Sequence, residues 1–259
     1  MLELRKAGAT LPDPARMRRR WISRLFEGGL EHAEEAVAIS QSNAALHARA
    51  LLRRGAAWWH LQRFDKAAED YRAASEEPTL AADPFLCCAA LQGLADTLVQ
   101  QGSYGEARLP LERAQRLATQ LGDRRPICHA RWVEGLLATR CNDPETGQKH
   151  LLAAREELRN LEDMGHFAVV SLDLAETLAR TGKTEKCMAV LAEALPHLRA
   201  LKLEDEGLVG LKLLEQAVQE NQLRLDLIGT VRASARLAPN AQAVRDCTAS
   251  DCGPSRQDR

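Results

Sequence analysis

Apolar residues along this chain recur at the three-and-four spacing of amphipathic helices, and the strict alternation of a half-buried strand appears nowhere. The pattern also repeats itself. Shifted by 40 positions, Leu51, Gly55 and Trp58 fall on Leu91, Ala95 and Leu98, and Gly135 and Ala138 fall on Ala175 and Leu178. Tyr71, Leu111, Leu151 and Leu191 form another column, as do Ala74, Ala114, Ala154 and Ala194. Turns at Gln62, Gly102, Asn142 and Gly182 recur at the same interval and divide each unit into two helices. Small columns suit close helix crossings, and the large ones fill the remaining space.

These columns predict four repeats over 48–203. Before them, Leu25 to Ser40 reads as the second helix of a degenerate unit, so that 21–47 forms N-terminal cap helices with Trp21 in their core. Residues 204–238 read as two C-terminal capping helices, with Leu208, Leu211, Leu214 and Val218 apolar on one and Leu225, Ile228 and Val231 on the other. Periodicity ceases after Pro239, and 239–259 is expected to be a disordered tail. Pro110 and Pro196 fall inside second helices and are expected to kink them.

The order of small and large positions resembles the tetratricopeptide repeat, with glycine or alanine in the first helix, a small residue opening the second (Ala67, Ala107, Gly147, Cys187), then a large residue and another alanine. Its period of 40 exceeds that family's usual ~34, the surplus following the last alanine; armadillo and HEAT units also run near ~40, but the internal spacing favours the tetratricopeptide reading. "DRRPICHARWVEGLL", "AVVSLDLAETLARTGK", "LPHLRAL" and "KLLEQAVQEN" are also similar to the C-terminal array of bacterial tetratricopeptide regulatory proteins. Some of those carry a helix-turn-helix or an anti-sigma-type zinc segment ahead of the array; this chain shows neither. The resemblance implies an all-α, right-handed solenoid of antiparallel helix pairs whose concave groove binds a peptide or a helix.

In such a solenoid the first helices line the groove. Residues about one turn round from the packing columns are then candidate groove positions: Arg49, Leu52, Ala56, Trp59 and His60; Gln92, Asp96, Val99 and Gln100; His129, Trp132, Leu136, Thr139 and Arg140; Leu172, Glu176 and Arg180. Of the adjacent tryptophans, Trp58 takes the packing position and Trp59 the groove. A groove tryptophan left partly exposed can anchor a partner; the alternative is that Trp59 packs under the preceding degenerate helix and that Trp132 fills the gap left by small Ala138. The basic set Arg49, Arg140 and Arg180 has no matching asparagine, so the clamp with which some tetratricopeptide domains grip chaperone C-termini is not expected. The mixture of arginine with Asp96 and Glu176 suits a peptide or helix carrying both charges.

Composition narrows the remaining choices. The net charge is −1, yet residues 1–20 carry Arg5, Lys6, Arg16, Arg18, Arg19 and Arg20 against Glu3 and Asp13. This end is expected to be solvated and disordered, and the body lacks the basic stripe of a nucleic-acid surface. No apolar leader or span is present in the sequence, so a cytoplasmic protein is expected. Seven cysteines and seven histidines show no metal-ligand spacing; Cys247 and Cys252 read as free thiols and "CCAALQ", with Cys87 and Cys88, as helix packing. Phosphate loops, HExxH, nucleophile elbows and CxxC are all missing.

The expectation is therefore a non-enzymatic protein-binding module without metal or cofactor. Two alternatives stand beside it: the ligand- or partner-sensing arm of a bacterial transcriptional or sigma-factor system, and a scaffold that self-associates into a homo-oligomer.

Overall fold

The structure, a computed structural model, describes residues 29–78, 83–201, 203 and 205–236. The basic first twenty residues, Trp21, and the tail with Cys247 and Cys252 lie outside the described residues. Among those described there are eleven helices and no strand. Helix α1 spans 29–39. It is followed by α2 (Ala44–His60), α3 (Phe64–Glu76), α4 (Pro84–Gln101), α5 (Tyr104–Leu121), α6 (Arg124–Arg140), α7 (Pro144–Asn160), α8 (Met164–Arg180), α9 (Thr184–Ala200), α10 (Asp205–Gln219) and α11 (Leu225–Ala235). From α2 to α9 every helix begins 20 residues after the one before it.

The regularity comes from the ends of the helices. Gln62, Gly102, Gly122, Asn142, Glu162 and Gly182 all have positive φ, between 55° and 88°, which ends a helix and exposes its last carbonyls to a turn. Arg63 N–H donates to the Trp58 carbonyl, Ser103 to Leu98, Asp143 to Ala138 and Lys183 to Leu178, each at 2.9 Å, closing the same six-residue turn four times. At the opposite ends Asn43, Asp83, Asp123 and Asp163 cap α2, α4, α6 and α8 by accepting backbone N–H bonds. Because Asn43 caps it, α2 starts at Ala44, ahead of the boundary at 48 expected from the columns. Pro110 and Pro196 sit inside α5 and α9, and both helices stay continuous across them.

Packing follows the columns. Ala67, Ala74, Ala95, Ala107, Ala114, Ala154, Ala175, Cys187 and Ala194 are wholly buried. A Cβ on Gly135 would stand 2.8 Å from Leu151 Cγ, and one on Gly147 would stand 2.9 Å from the Gly135 carbonyl, so α6 and α7 approach as closely as backbone permits. Cys88 Sγ donates to the Ala114 carbonyl at 3.5 Å and Cys128 Sγ to the Ala154 carbonyl at 3.3 Å. Burial pushes these two thiols up to about 12 and that of Cys187 to about 11, so all three are protonated, inert packing groups at neutral pH.

Helices α2, α4, α6 and α8 pack directly on one another in turn and form a continuous first-helix layer, with α3, α5, α7 and α9 beside it. The last pair departs from this scheme. Here α10 packs on α9, and it is the second helix, α11, that packs on α8 in the first-helix layer. Gly207 and Gly210 of α10 face Ser234 and Thr230 of α11, where an added Cβ would come within 2.7 and 3.2 Å. Of the expected stripes Leu211, Leu214, Ile228 and Val231 are buried and Val218 packs against the core, whereas Leu208 and Leu225, each in the first turn of its helix, are exposed and Leu227 and Ala235 are buried as well.

Candidate binding site on the first-helix layer

The C-terminal ends of α2, α4 and α6, the middle of α8 and the last turn of α11 enclose a cavity of about 250 Å³. Its apolar wall is Trp59, Phe64, Val99 and Leu136; its polar wall is Gln62, Gln100, Arg140, Asp173, Arg232 and Arg236. Trp59 meets Phe64 at a ring angle of 69° and His60 at 85°, both edge-on. This geometry fixes the indole at the cavity wall.

Asp173 is the electrostatic centre. Its side chain is 1% exposed, and it accepts from Trp132 Nε1 at 2.9 Å and from Arg236 Nη2 at 2.8 Å, with Arg232 Nη1 at 3.5 Å. Burial pushes its carboxyl upward, but the charges of Arg236 and Arg232 and the donors of Arg236 and Trp132 outweigh this and hold it below the ordinary carboxylate value. Burial lowers the Arg232 guanidinium. For Arg236, Asp173 and Asp96 outweigh burial and raise it. The Arg236 guanidinium also lies 5.7 Å from the Trp132 ring centroid, a cation–π distance.

One turn along α8, Glu176 forms a second anionic centre. It accepts from Arg180 Nη2 at 2.8 Å, pairs with Arg232, and lies 4.0 Å from Arg140. Two acids of α8 thus serve two arginines of α11 and two of the repeats. Asp173 and Glu176 lie on one face because three residues make nearly a full turn.

Several expected groove positions line or adjoin this site: Trp59, Val99, Gln100, Leu136 and Arg140 line the cavity, and Trp132, Glu176 and Arg180 join its ion-pair network. Of the two readings of the tryptophans, the partly exposed one is corrected and the packed one holds in that both rings are buried. Trp59 and Trp132 are 6% and 5% exposed, covered by their ring neighbours and, at Trp132, by Arg236; Trp58 is the half-buried one, under Lys66 Nζ at 4.1 Å from its ring centroid. Gln92 is buried and donates to the Pro126 carbonyl at 2.6 Å, which ties α4 to the first turn of α6. Asp96 is buried and accepts from Gln100 at 3.2 Å. His60 is buried against Trp59, His129 stands edge-on to Trp132, and Leu52 packs into the core beside α1. Arg49, by contrast, is exposed and pairs with Asp83 at 3.3 Å, away from the cavity.

Sequence reasoning missed Asp173, Arg232 and Arg236. For Asp173 a signal exists: it is an acid between two leucines in the largely apolar run "FAVVSLDLA", in a column whose other members are Arg53, Gly93 and Val133. A lone acid on a packing face needs a buried cation. Arg232 and Arg236, four residues apart on α11, supply it. Among the described residues no cluster of His, Cys, Asp and Glu could hold a metal ion, and no helix is long and apolar enough to cross a membrane.

No protein-family model matches the chain, and no curated protein matches it in sequence. Among solved structures, the crystal structure of BtubC (BKLC) from P. vanneervenii is similar, with a TM-score of 0.57 and 15% identity over 93% of this chain and 96% of that one. At that identity the likeness concerns the arrangement of helices alone.

Proposed function

We propose that the chain is a non-enzymatic, tetratricopeptide-like binding module whose helix pairs form a right-handed superhelix, with the first-helix layer as its concave, partner-binding face. The observation that carries this reading is the cavity on that layer. Aromatic rings, amides and both signs of charge converge there from α2, α4, α6 and α8, helices up to about 120 residues apart along the chain. Aromatic and arginine side chains gathered at one place are the residue types that dominate binding energy at protein interfaces.

A photo-crosslinking residue at Gln100 or Arg140, on the cavity rim, is expected to trap a polypeptide partner in cells of the native organism; the same group at exposed Glu112 on α5 is expected to trap none. Crosslinks from Glu112 alone would move the binding surface to the other layer. The sensing alternative draws support from the size of the cavity, which approaches the ~300 Å³ at which small-molecule sites begin. A metabolite seated there would raise the melting temperature.

A further inference from the structure

Helix α11 occupies the place that a bound helix would take. It lies in the first-helix layer although it is the second helix of its pair, and it is joined to α10 by the exposed residues Glu220, Asn221 and Gln222. It packs on α8 with Leu227, Ile228 and Val231 buried, and its arginines 232 and 236 reach Asp173 of α8. The acids that receive those arginines belong to the repeats. Asp173 accepts from Trp132, and Glu176 from Arg180, bonds made within the repeats themselves. A buried carboxylate whose full set of donors depends on an added helix is a built receptor for a cation.

Resting on the reading of the first-helix layer as a binding face, we propose that this face recognises an amphipathic helix with two arginines one turn apart, that α11 is its intramolecular occupant, and that the chain's partner binds by presenting such a helix in place of α11. The geometry sets the recognition pattern. An apolar residue at the position of Ile228, four before the first arginine, is buried, the first cation reaches Asp173 and Glu176, and the second reaches Asp173 over the Trp132 ring. Because α11 is tethered by a short link, its effective concentration is of the order of millimolar, and any free helix must compete with it.

The test uses full-length protein and a fluorescent peptide of residues 222–236. Arg232→Glu/Arg236→Glu in the chain repels α11 from α8 and is expected to raise peptide affinity at least tenfold over wild type, about 1.4 kcal/mol. Adding Asp173→Asn to this chain should abolish the gain. Should charge reversal unfold the protein, a flexible insertion of about 20 residues at Asn221 lowers the effective concentration instead and gives the same gain. A folded variant of either kind that binds the peptide no better than wild type overturns the proposal.

Panning a library of displayed helices on the insertion variant keeps the two readings separate. Selected helices that carry paired cations and lose binding with Asp173→Asn support the proposal. Helices that need Trp132 but lack paired cations overturn it while leaving the first-helix layer as the binding face, and a selection yielding nothing that depends on this layer overturns both.

Discussion

Between α6 and α7 the nearest groups are Gly135, Gly147 and Leu151, with no room for another methyl; between α8 and α11 they include two arginines, an aspartate and a glutamate, with the Trp132 indole of α6 beside them. The first contact is specified by volume. Dry, close-packed helix pairs gain dispersion and lose apolar surface to water, and every carbon is felt. The second is specified by charge. Burying three ionised groups costs nearly as much as their attraction returns, so such a junction adds little net stability while fixing which surface meets which. The repeat body is thereby built to stay closed, and the C-terminal helix is built to be matched and exchanged.

Four substitutions are expected to separate the volume-specified body from the charge-specified junction. Leu151 is fully buried in the body, and Leu151→Ala should cost about 2–5 kcal/mol of global stability, read as a lower urea midpoint with an unchanged slope. Asp173→Asn removes the carboxylate that pairs with Arg236 and leaves Arg232 with Glu176 alone, a loss of about 3 kcal/mol. Hydrogen exchange should show that loss in α10 and α11 while α2 to α7 keep their protection. Equal loss everywhere would mean that the two regions are a single cooperative unit.

Asp173 also sets a pH dependence. Its folded carboxyl lies below the ordinary value, so the stability it contributes is complete above about pH 3.9 and is lost only as the pH falls through the folded value. The near-ultraviolet circular dichroism of the indoles is therefore expected to be flat from pH 7 to about pH 5 and to change below pH ~3.9. In Asp173→Asn the acid component belonging to α11 should disappear.

Gly147→Val forces a branched side chain against the Gly135 carbonyl and Thr139, and overpacking of this kind costs about 1–3 kcal/mol. Smallest is Asp83→Ala, which removes the cap that accepts from Leu86 N–H at 3.2 Å and should cost about 1 kcal/mol. Thermal denaturation ranks these two. An Asp83→Ala effect exceeding that of Gly147→Val would show that helix ends, rather than crossings, limit the stability of the body.

The helices, their turns and their small-residue columns were readable in advance because each depends on neighbours close in sequence or one repeat away. Gln62, Gly102, Asn142 and Gly182 end helices through local backbone geometry, and Ala74, Ala114, Ala154 and Ala194 are buried by a packing that repeats every 40 residues. Periodicity turns one local solution into eight helices. Trp59 and Trp132 were placed on the correct helices, yet their depth was left open because what covers them comes from other helices. Trp132 is roofed by Arg236, more than a hundred residues away.

An all-helical chain of paired helices, the turns at Gln62, Gly102, Asn142 and Gly182, and the small-residue columns that are buried thus follow from local and periodic spacings. Only the tertiary structure decided that the last pair exchanges its layers, that Asp173 and Glu176 receive the arginines of α11, and that a cavity closes beneath them. The physical reason is the range of the interactions. Caps, turns and repeating contacts are written in short spacings, whereas the seat of the terminal helix depends on charges of α8 and α11 up to 63 residues apart, for which no repeat supplies a template.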